Sequence, residues 1–368
     1  MAHSVVGLDI GSTGVRGVEL SANGKAKQTL IRSYEIPLPT GAVIRGEVLE
    51  PAVVSSALKR LWLQGGFKSK NVVLGTGNQG AVVRDLTVPK MSLKHIRESL
   101  PFHVQTTLQM QISDSILDFY PSSEIVSEQG PMLHGLLVAA EKKEILGNVD
   151  AVERAGLNPV EVDLIPFALN RLLVSRPQIM GTVGLIDIGS TTTSIIISSD
   201  GVPWFVRIIP AGGDDLTRAL VEGLSIDAPT AEQLKRTLKL GPAEIADENL
   251  KSVKCKCAKC ISADTSVDDY RSTEILHSVS GELLSSLRST VNYFNNTRPQ
   301  DPVKRILLTG GGSLLSGFSE SLSEVTHVPV TAADPFSIVL VPRAKKRKKR
   351  CVEGSLAVAL GLALRGGS

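Results

Sequence analysis

Two short, continuously apolar runs stand out along the chain: residues 5–8 (Val-Val-Gly-Leu) and residues 183–186 (Val-Gly-Leu-Ile). Runs of this length bounded by turn signals predict buried strands. Each leads into the same five residues, Asp9-Ile10-Gly11-Ser12-Thr13 and, 178 positions later, Asp187-Ile188-Gly189-Ser190-Thr191. A second β-prone stretch follows each copy and closes on a dipeptide, Asn23-Gly24 or Asp200-Gly201. Such dipeptides favour the φ > 0 turns that join antiparallel strands. The pattern predicts one strand–acidic turn–strand–hairpin unit built twice. A repeat at this distance implies two similar lobes facing each other, not a solenoid of short units.

Between and after the repeats the period changes. Residues 51–64 read as an amphipathic helix with Val53, Ala57 and Leu61 near one face and Gly65-Gly66 as the stop. A strand follows at Val72-Val73-Leu74. The segment Gly75-Thr-Gly-Asn-Gln-Gly80 has dinucleotide-fingerprint spacing, but residues 81–88 read as a strand where that motif requires a helix, so a loop or strand crossing is expected. Residues 91–117 look helical, with Ser92 as cap and Pro101 breaking them. A buried strand is expected at 135–140, a helix at 141–155 closed by Gly156, and a short helix at 166–174. Later come helical stretches at 230–240 and 273–294, a strand at 305–309 running into Gly310-Gly311-Gly312-Ser313, and an apolar helix at 353–364. The organisation expected is a first lobe (1–84 and 161–180) carrying an α+β insert (85–160). A second lobe (181–221 and 301–368) carries a mostly helical insert (222–300).

The repeated turns suggest a specific chemistry. Glycine lets the backbone approach an anion closely, and neighbouring N–H groups with Ser or Thr hydroxyls cradle phosphate oxygens. A carboxylate beside them can hold Mg²⁺, usually through waters. One such turn is a common way to leave a strand. Two in matching context predict a site for phosphate and a divalent metal between the lobes.

Composition narrows the rest. At 368 residues, 42% hydrophobic and 4% aromatic, the chain can build two or more cores. No apolar run reaches the ~18 residues of a membrane span, Met1-Ala2-His3-Ser4 does not open a secretory signal, and four cysteines make no disulfide framework. A cytoplasmic protein is expected. Net charge is +3, yet the run from Arg343 to Arg350 holds seven of the 40 basic residues, leaving 33 basic against 37 acidic elsewhere. Such a block is a solvated loop or a contact for anionic lipid. It lacks aromatic interleaving and a surrounding nucleic-acid module, so no specific nucleic acid is expected. Cys255, Cys257 and Cys260 could bind zinc with Cys351 or His277, but the paired C-x-x-C is missing and unbound thiols are favoured.

With the twin turns, the Gly-Gly-Gly-Ser segment and the closing Ala/Leu/Gly helix in place, the chain resembles the actin-like ATPase superfamily over essentially its full length. The resemblance implies an α/β actin-like ATPase fold, two ribonuclease-H-like lobes around a nucleotide cleft. Further phrases are similar to the PilM family, the cytoplasmic actin-like component of type IV pilus assembly. They are Val6-Gly-Leu-Asp-Ile-Gly-Ser12, Leu136-Leu-Val-Ala-Ala-Glu-Lys142, Ala155-Gly-Leu-Asn-Pro-Val-Glu-Val-Asp163, Phe167-Ala-Leu-Asn-Arg171, Ile209-Pro-Ala-Gly-Gly213 and Ala333-Asp-Pro-Phe336. An insert in the first lobe is shared with PilM and with the division protein FtsA. FtsA-like proteins end in an amphipathic membrane helix, and the Gly366-Gly367-Ser368 end here favours PilM.

The resemblance implies ATP and Mg²⁺ as cofactors and assigns roles. Asp9 and Asp187 would hold the water shell of Mg²⁺. Gly11, Ser12, Thr13, Gly14, Gly189, Ser190, Thr191 and Thr192 would serve the phosphates. Arg16, where the family often has Lys, would neutralise phosphate charge, and Gly213 would join the nucleotide cradle. Glu232 would accept from ribose and Lys235 and Arg236 would flank the base, although an exposed i, i+3 charge pair looks the same. Gly310, Gly311, Gly312 and Ser313 form the expected adenosine loop. Asn170, seventeen residues before Asp187, aligns with the catalytic water-positioning residue; an amide orients water but cannot take its proton, so weak ATPase activity at most is expected. The implied partner is the N-terminal peptide of a PilN-like membrane protein, held in a groove between the first lobe and its insert. That would place the chain peripherally at the inner face of the cell membrane; self-association stays open. The competing expectations are a nucleotide-free peptide adaptor, a small-molecule kinase of the same superfold and an FtsA-like division protein.

Overall fold

The computed structural model describes residues 5–21, 28–78, 80–104, 111–128, 130–241, 267–342 and 353–365. The turn expected at Asn23-Gly24, the four cysteines and the run from Arg343 to Arg350 lie outside the described residues.

The first repeat folds as strands β1 (Val6–Gly11) and β2 (Gly14–Leu20), followed by β3 (Gln28–Pro37). A tight hairpin of β4 (Val43–Ile44) and β5 (Glu47–Val48) leads into helix α1 (Pro51–Gly65) and β6 (Asn71–Thr76). Then come β7 (Val82–Pro89), α2 (Leu93–His103), β8 (Ser115–Ser127) and β9 (Gly130–Glu141). The chain returns through α3 (Lys142–Arg154), β10 (Asn158–Leu164) and α4 (Ile165–Asn170), which continues in a wider turn to Ser175. The second repeat gives β11 (Thr182–Ile188), β12 (Thr193–Ser199) and β13 (Val202–Ile209), then α5 (Gly213–Leu224), α6 (Ala228–Thr237) and α7 (Val267–Thr297). It closes with β14 (Arg305–Thr309), α8 (Phe318–Thr326), β15 (Val330–Ala332), β16 (Val339–Leu340) and α9 (Ala357–Ala363).

The duplication seen in ten residues of sequence extends to whole sheets. The first sheet runs β10-β6-β1-β2-β3-β16 and the second β13-β12-β11-β14-β15. In both, the acidic strand pairs antiparallel with the strand after it and parallel with a later one. Asp200 and Gly201 adopt φ 50° and 82° and join β12 to β13, as the dipeptide requires. β1 reads as a continuous apolar run because helices cover both its faces. Its Val6, Leu8 and Ile10 share a core with Leu58 and Leu61 of α1. Its other face meets α9 so closely that a Cβ on Gly7 would lie 2.1 Å from the Ala359 carbonyl oxygen.

Several expectations are corrected. The helix near residue 91 does start at Ser92, whose Oγ accepts from the His95 N–H at 3.3 Å. It passes Pro101 and ends at His103, because Ile96, Leu100 and Val104 stay buried against Phe119 and Leu137. Residues 115–117, read as helix, belong to β8, which pairs with β9 along its whole length. The first-lobe insert is the β7-β9-β8 sheet with α2, shorter than 85–160: β10 pairs with β6, and Ala151 and Val152 of α3 lie in the α1 core. The end of the chain also changes lobe, since β16 pairs with β3 and Leu362 of α9 packs on Val73 and Ala168. By contrast, α7 belongs to the second-lobe core through Leu284, Leu287 and Val291.

Gly7→Ala is expected to destabilise the protein by about 1–3 kcal/mol, the usual cost of overpacking. Gly147→Ala on α3, where a Cβ meets nothing within 4 Å, should be neutral or stabilising by up to about 1 kcal/mol. Urea unfolding of the two variants checks the contrast.

Candidate functional site

The two acidic turns meet. Ser12 Oγ and Thr191 Oγ1, 179 positions apart in sequence, lie 2.8 Å from each other. Behind them sit the carboxylates. Asp9 is 6% exposed; burial raises its pKa even though the Arg16 guanidinium pulls the other way. Asp187 is pushed up to about 7, first by burial and then by the negative charge of Asp9, with Arg16 offsetting only part. The local sequence explains the asymmetry. Across the first hairpin Asp9 faces Arg16, whereas across the second Asp187 faces Ser194.

This donor set fits a hard divalent cation. Two carboxylates from different lobes, Asp9 buried and Asp187 half-buried, are held within mutual electrostatic reach, an arrangement that a dication converts from repulsive to attractive. Thr309, the β14 residue in register with Asp187, adds a buried hydroxyl with no hydrogen-bond partner. The next residue, Gly310, adopts φ 89°, and a Cβ there would lie 2.3 Å from the Ile188 carbonyl oxygen and 2.7 Å from Asp187 Oδ1. Only glycine fits.

Small residues shape the rest of the cradle. Gly11 and Gly14 pair across the Ser12-Thr13 turn, and a Cβ on Gly14 would meet the Ile36 carbonyl oxygen at 2.8 Å. In the second turn Gly189 donates to the Thr192 carbonyl at 2.9 Å. The start of α5 docks on that turn, with Gly213 N–H on Gly189 O at 3.0 Å and Asp214 N–H on Ser190 O at 2.8 Å. Gly212, which sequence reasoning did not single out, could carry no Cβ there, since one would lie 2.5 Å from Ser190 O. Arg16 is tied to its own lobe, 3.2 Å from Asp9, 3.1 Å from Thr13 Oγ1 and 2.8 Å from Glu35. It therefore orients Asp9 as well as supplying positive charge to the turn.

A cavity of about 520 Å³ opens beside the cradle, lined by Gly212, Gly213, Leu216, Gly312, Leu315 and Phe318 among others. Ser313 closes the glycine loop by donating to Gly310 O at 2.6 Å, while Gly311 has open space around it. On α6, Lys235 Nζ reaches Gly213 O at 3.0 Å, Thr217 Oγ1 at 2.8 Å and Glu232 at 2.5 Å. Burial opposes ionisation of Glu232, but Lys235, Thr217 and Arg236 together hold its pKa below the ordinary value. Arg236 contacts only the outer oxygen of Glu232 at 3.1 Å and is largely exposed. The structure thus brings Glu232 and Lys235 to the cradle and leaves Arg236 on its rim.

Asn170 is the correction. It lies at the far end of α4, 3% exposed, with Nδ2 donating to Gly201 O at 2.9 Å and Oδ1 accepting from Ser198 Oγ at 2.7 Å. Ser198 pairs with Val183, four strand positions from the Ser194–Asp187 pair, or about 13 Å along the sheet. The amide fastens the β12–β13 hairpin and does not reach the carboxylates of Asp9 and Asp187. Sequence spacing placed it correctly on the chain but could not show which end of the helix faces the cleft. Two participants left weaker signals: Thr309, an ordinary strand residue, and Arg45, an ordinary hairpin residue whose N–H donates to Thr191 Oγ1 at 3.2 Å.

Asn170→Ala should cost roughly 1–3 kcal/mol of stability, as for any satisfied buried amide, read from urea unfolding. The Asp187 carboxyl makes a pH prediction. Its folded pKa near 7 lies above its ordinary 3.8, so its contribution to stability is present at low pH and is lost as pH rises through about 7. Without divalent ions, Asp187→Asn should therefore gain on the unaltered protein by up to about 3 kcal/mol between pH 5 and 8, read from urea midpoints at each pH.

Comparison with known proteins identifies the relatives. The family model described as "Type IV pilus assembly protein PilM" matches residues 7–266, and that for "Cell division protein FtsA" matches residues 184–361. A solved "PilM-PilN type IV pilus biogenesis complex" superposes with TM-score 0.80 at 27% identity, over 99% of this chain and 98% of that one. The crystal structure of MreB 5 of Spiroplasma citri bound to AMPPNP shares the fold, with TM-score 0.54 at 12% identity over 99% and 96% of the chains. Among curated proteins, FtsA of Borreliella burgdorferi is 28% identical over 52% of this chain, which spans 45% of that relative's length. FtsA of Pseudomonas aeruginosa is 24% identical over 91% of this chain and 84% of its own. The fold is the actin-like ATPase fold, and the chain belongs to the PilM family of type IV pilus assembly proteins.

Proposed function

We propose that this chain is an ATP-binding, actin-like cytoplasmic scaffold of the type IV pilus inner-membrane assembly platform. It binds the N-terminal peptide of a PilN-like membrane partner and hydrolyses ATP slowly or not at all. The observation that carries the nucleotide reading is the Asp9–Asp187 pair behind joined Ser/Thr turns, with the Asp187 pKa raised to about 7. Mg²⁺ would sit between those carboxylates, with phosphates on Gly11, Ser12, Thr13, Gly189, Ser190 and Thr191, ribose near Glu232 and Lys235, and adenine against Gly310, Gly311 and Gly312. The full-length likeness to a protein solved with PilN supports the partner. Among the described residues no helix is long and apolar enough to cross a membrane, so placement at the membrane would come through that partner. Lipid contact by the run from Arg343 to Arg350 and self-association of copies would add to it.

The slow-hydrolysis part rests on Asn170. With both ends of its amide bonded to the second-lobe hairpin, it is not available to orient water, and phosphoryl transfer depends mostly on such positioning and charge stabilisation. The second reading is a peptide adaptor that binds no nucleotide, favoured by the direct Ser12–Thr191 bond that closes the two turns on each other.

A single-turnover assay tests the proposal, with protein in excess over radiolabelled Mg-ATP and bound nucleotide and released phosphate read together. The expected result is tight binding with release slower than about one per second. Asp187→Ala should abolish nucleotide binding and leave binding of a PilN N-terminal peptide intact. Absence of nucleotide binding in the unaltered protein would establish the adaptor instead.

A further inference from the structure

The turn between β4 and β5 belongs to neither acidic repeat, yet it stands where they meet. Arg45 and Gly46 both adopt left-handed backbone, φ 50° and 84°. For a non-glycine residue that conformation is strained and persists only where the surroundings impose it. Here three attachments do so. The Arg45 N–H donates at 3.2 Å to Thr191 Oγ1, the same hydroxyl that Ser12 Oγ meets at 2.8 Å. Asn148 binds the other side of the hairpin with both ends of one amide, Nδ2 donating to Gly46 O at 2.9 Å and Oδ1 accepting from Val48 N–H at 3.1 Å. That side chain belongs to a residue only 2% exposed. Gly46 also presses on Asn78, whose backbone a Cβ would meet at 3.2 Å.

Asn78 and Asn148 mark the two places where the chain passes between the first lobe and its insert. Asn78 lies in the connection from β6 to β7, and Asn148 lies on α3, which begins where β9 ends. Asn78 Nδ2 also donates to Glu144 on α3, tying the two crossings together. One end of this small turn therefore touches the hydroxyl pair between the lobes, and the other braces both hinges of the insert.

We propose that Asn148 is a positioning residue for the nucleotide site, and that the Arg45–Gly46 turn carries the presence of a terminal phosphate to the hinges of the insert. The inference rests on the nucleotide-binding reading above. A terminal phosphate seated between the acidic turns competes for the hydroxyls of Ser12 and Thr191, so the Arg45 N–H loses its present acceptor or shares it with the phosphate. A nucleoside diphosphate lacks the group that makes this demand. Because two bonds to a single buried amide fix the turn to α3, a shift of the turn is a shift of α3. The coupling is reciprocal: whatever favours one hinge arrangement at the insert changes triphosphate affinity by the same factor.

Hydrogen exchange of the full chain, alone, with Mg-ADP and with Mg-AMPPNP, tests this without any variant. The expected result is a difference between the two nucleotides at residues 43–48 and 142–154. Calorimetry on Asn148→Ala should show the AMPPNP-to-ADP affinity ratio falling about fivefold to tenfold, the scale of one lost buried hydrogen bond. Its nucleotide-dependent exchange at 142–154 should vanish while that at 187–192 remains. Asn148→Asp keeps the acceptor for Val48 N–H and should give an intermediate ratio. Asn71→Ala, which removes an exposed amide contact to Asn158, should change nothing. Identical exchange at 43–48 and 142–154 with both nucleotides bound would overturn the relay while leaving nucleotide binding standing. No binding of either nucleotide, with exchange at 9–14 and 187–192 unmoved, would overturn both.

Discussion

Two carboxylates from different lobes, held within electrostatic reach of each other, are the constraint around which this molecule is arranged. Left to themselves Asp9 and Asp187 repel and resist ionisation, and the fold holds them together regardless. Each is fixed in the body of a strand that a parallel neighbour and an antiparallel hairpin grip from both sides. Neither can withdraw without unpicking a sheet. The force that holds them is spread over two hydrophobic cores, and the cost of the pair is localised where a cation can reverse it.

The duplication is close in backbone and deliberately unequal in charge. Offsetting the first repeat by 178 residues places Ser194 where Arg16 stands. Arg16 folds back on Asp9 and Glu35, so the first carboxylate has a resident counter-charge and the second does not. That difference, one residue in otherwise matching hairpins, leaves burial and the charge of Asp9 to push the Asp187 carboxyl up to about 7, with Arg16 offsetting only part. The glycines follow the same logic of position. Gly310 and Gly212 stand where backbone of one segment lies against backbone of another, and any side chain would push the glycine loop after β14 or the start of α5 away from the second turn.

Much of this was legible because period-2 strands, turn dipeptides and a repeated motif are local signals. The twin turns, α1, β6, α3 and the glycine loop all follow from residues near one another in sequence. What was not legible is non-local. The return of β16 and α9 to the first lobe depends on Gly7 and Gly361 admitting a helix backbone, and no periodicity announces which sheet a small-residue helix will meet. Pro101 failed to stop α2 because the helix's apolar face outweighs one missing hydrogen bond. β8 escaped notice because its outer end is exposed and Pro121 introduces a bulge. Asn170 lay at the expected distance from Asp187, but spacing fixes a position along a helix and not the end of the sheet it faces.

The arrangement also explains why the insert sits where it does. β7 and β9 do not grow out of the sheet edge at random; the chain leaves beside Asn78 and comes back through α3, and both crossings converge on a hairpin that ends on Thr191. The insert reaches the second lobe as well. Ser122 Oγ donates to Pro203 O at 2.9 Å, and His134 stacks on Trp204, over which the Arg298 guanidinium also lies, 3.7 Å from the ring centroid. A body attached to one lobe through the cleft-side hairpin and resting on the other through an aromatic stack is placed to register their relative position. Nucleotide chemistry is not required for that role. It needs only that the way the lobes meet can change, because the insert is braced on the first lobe through Asn78 and α3 and rests on the second through Trp204.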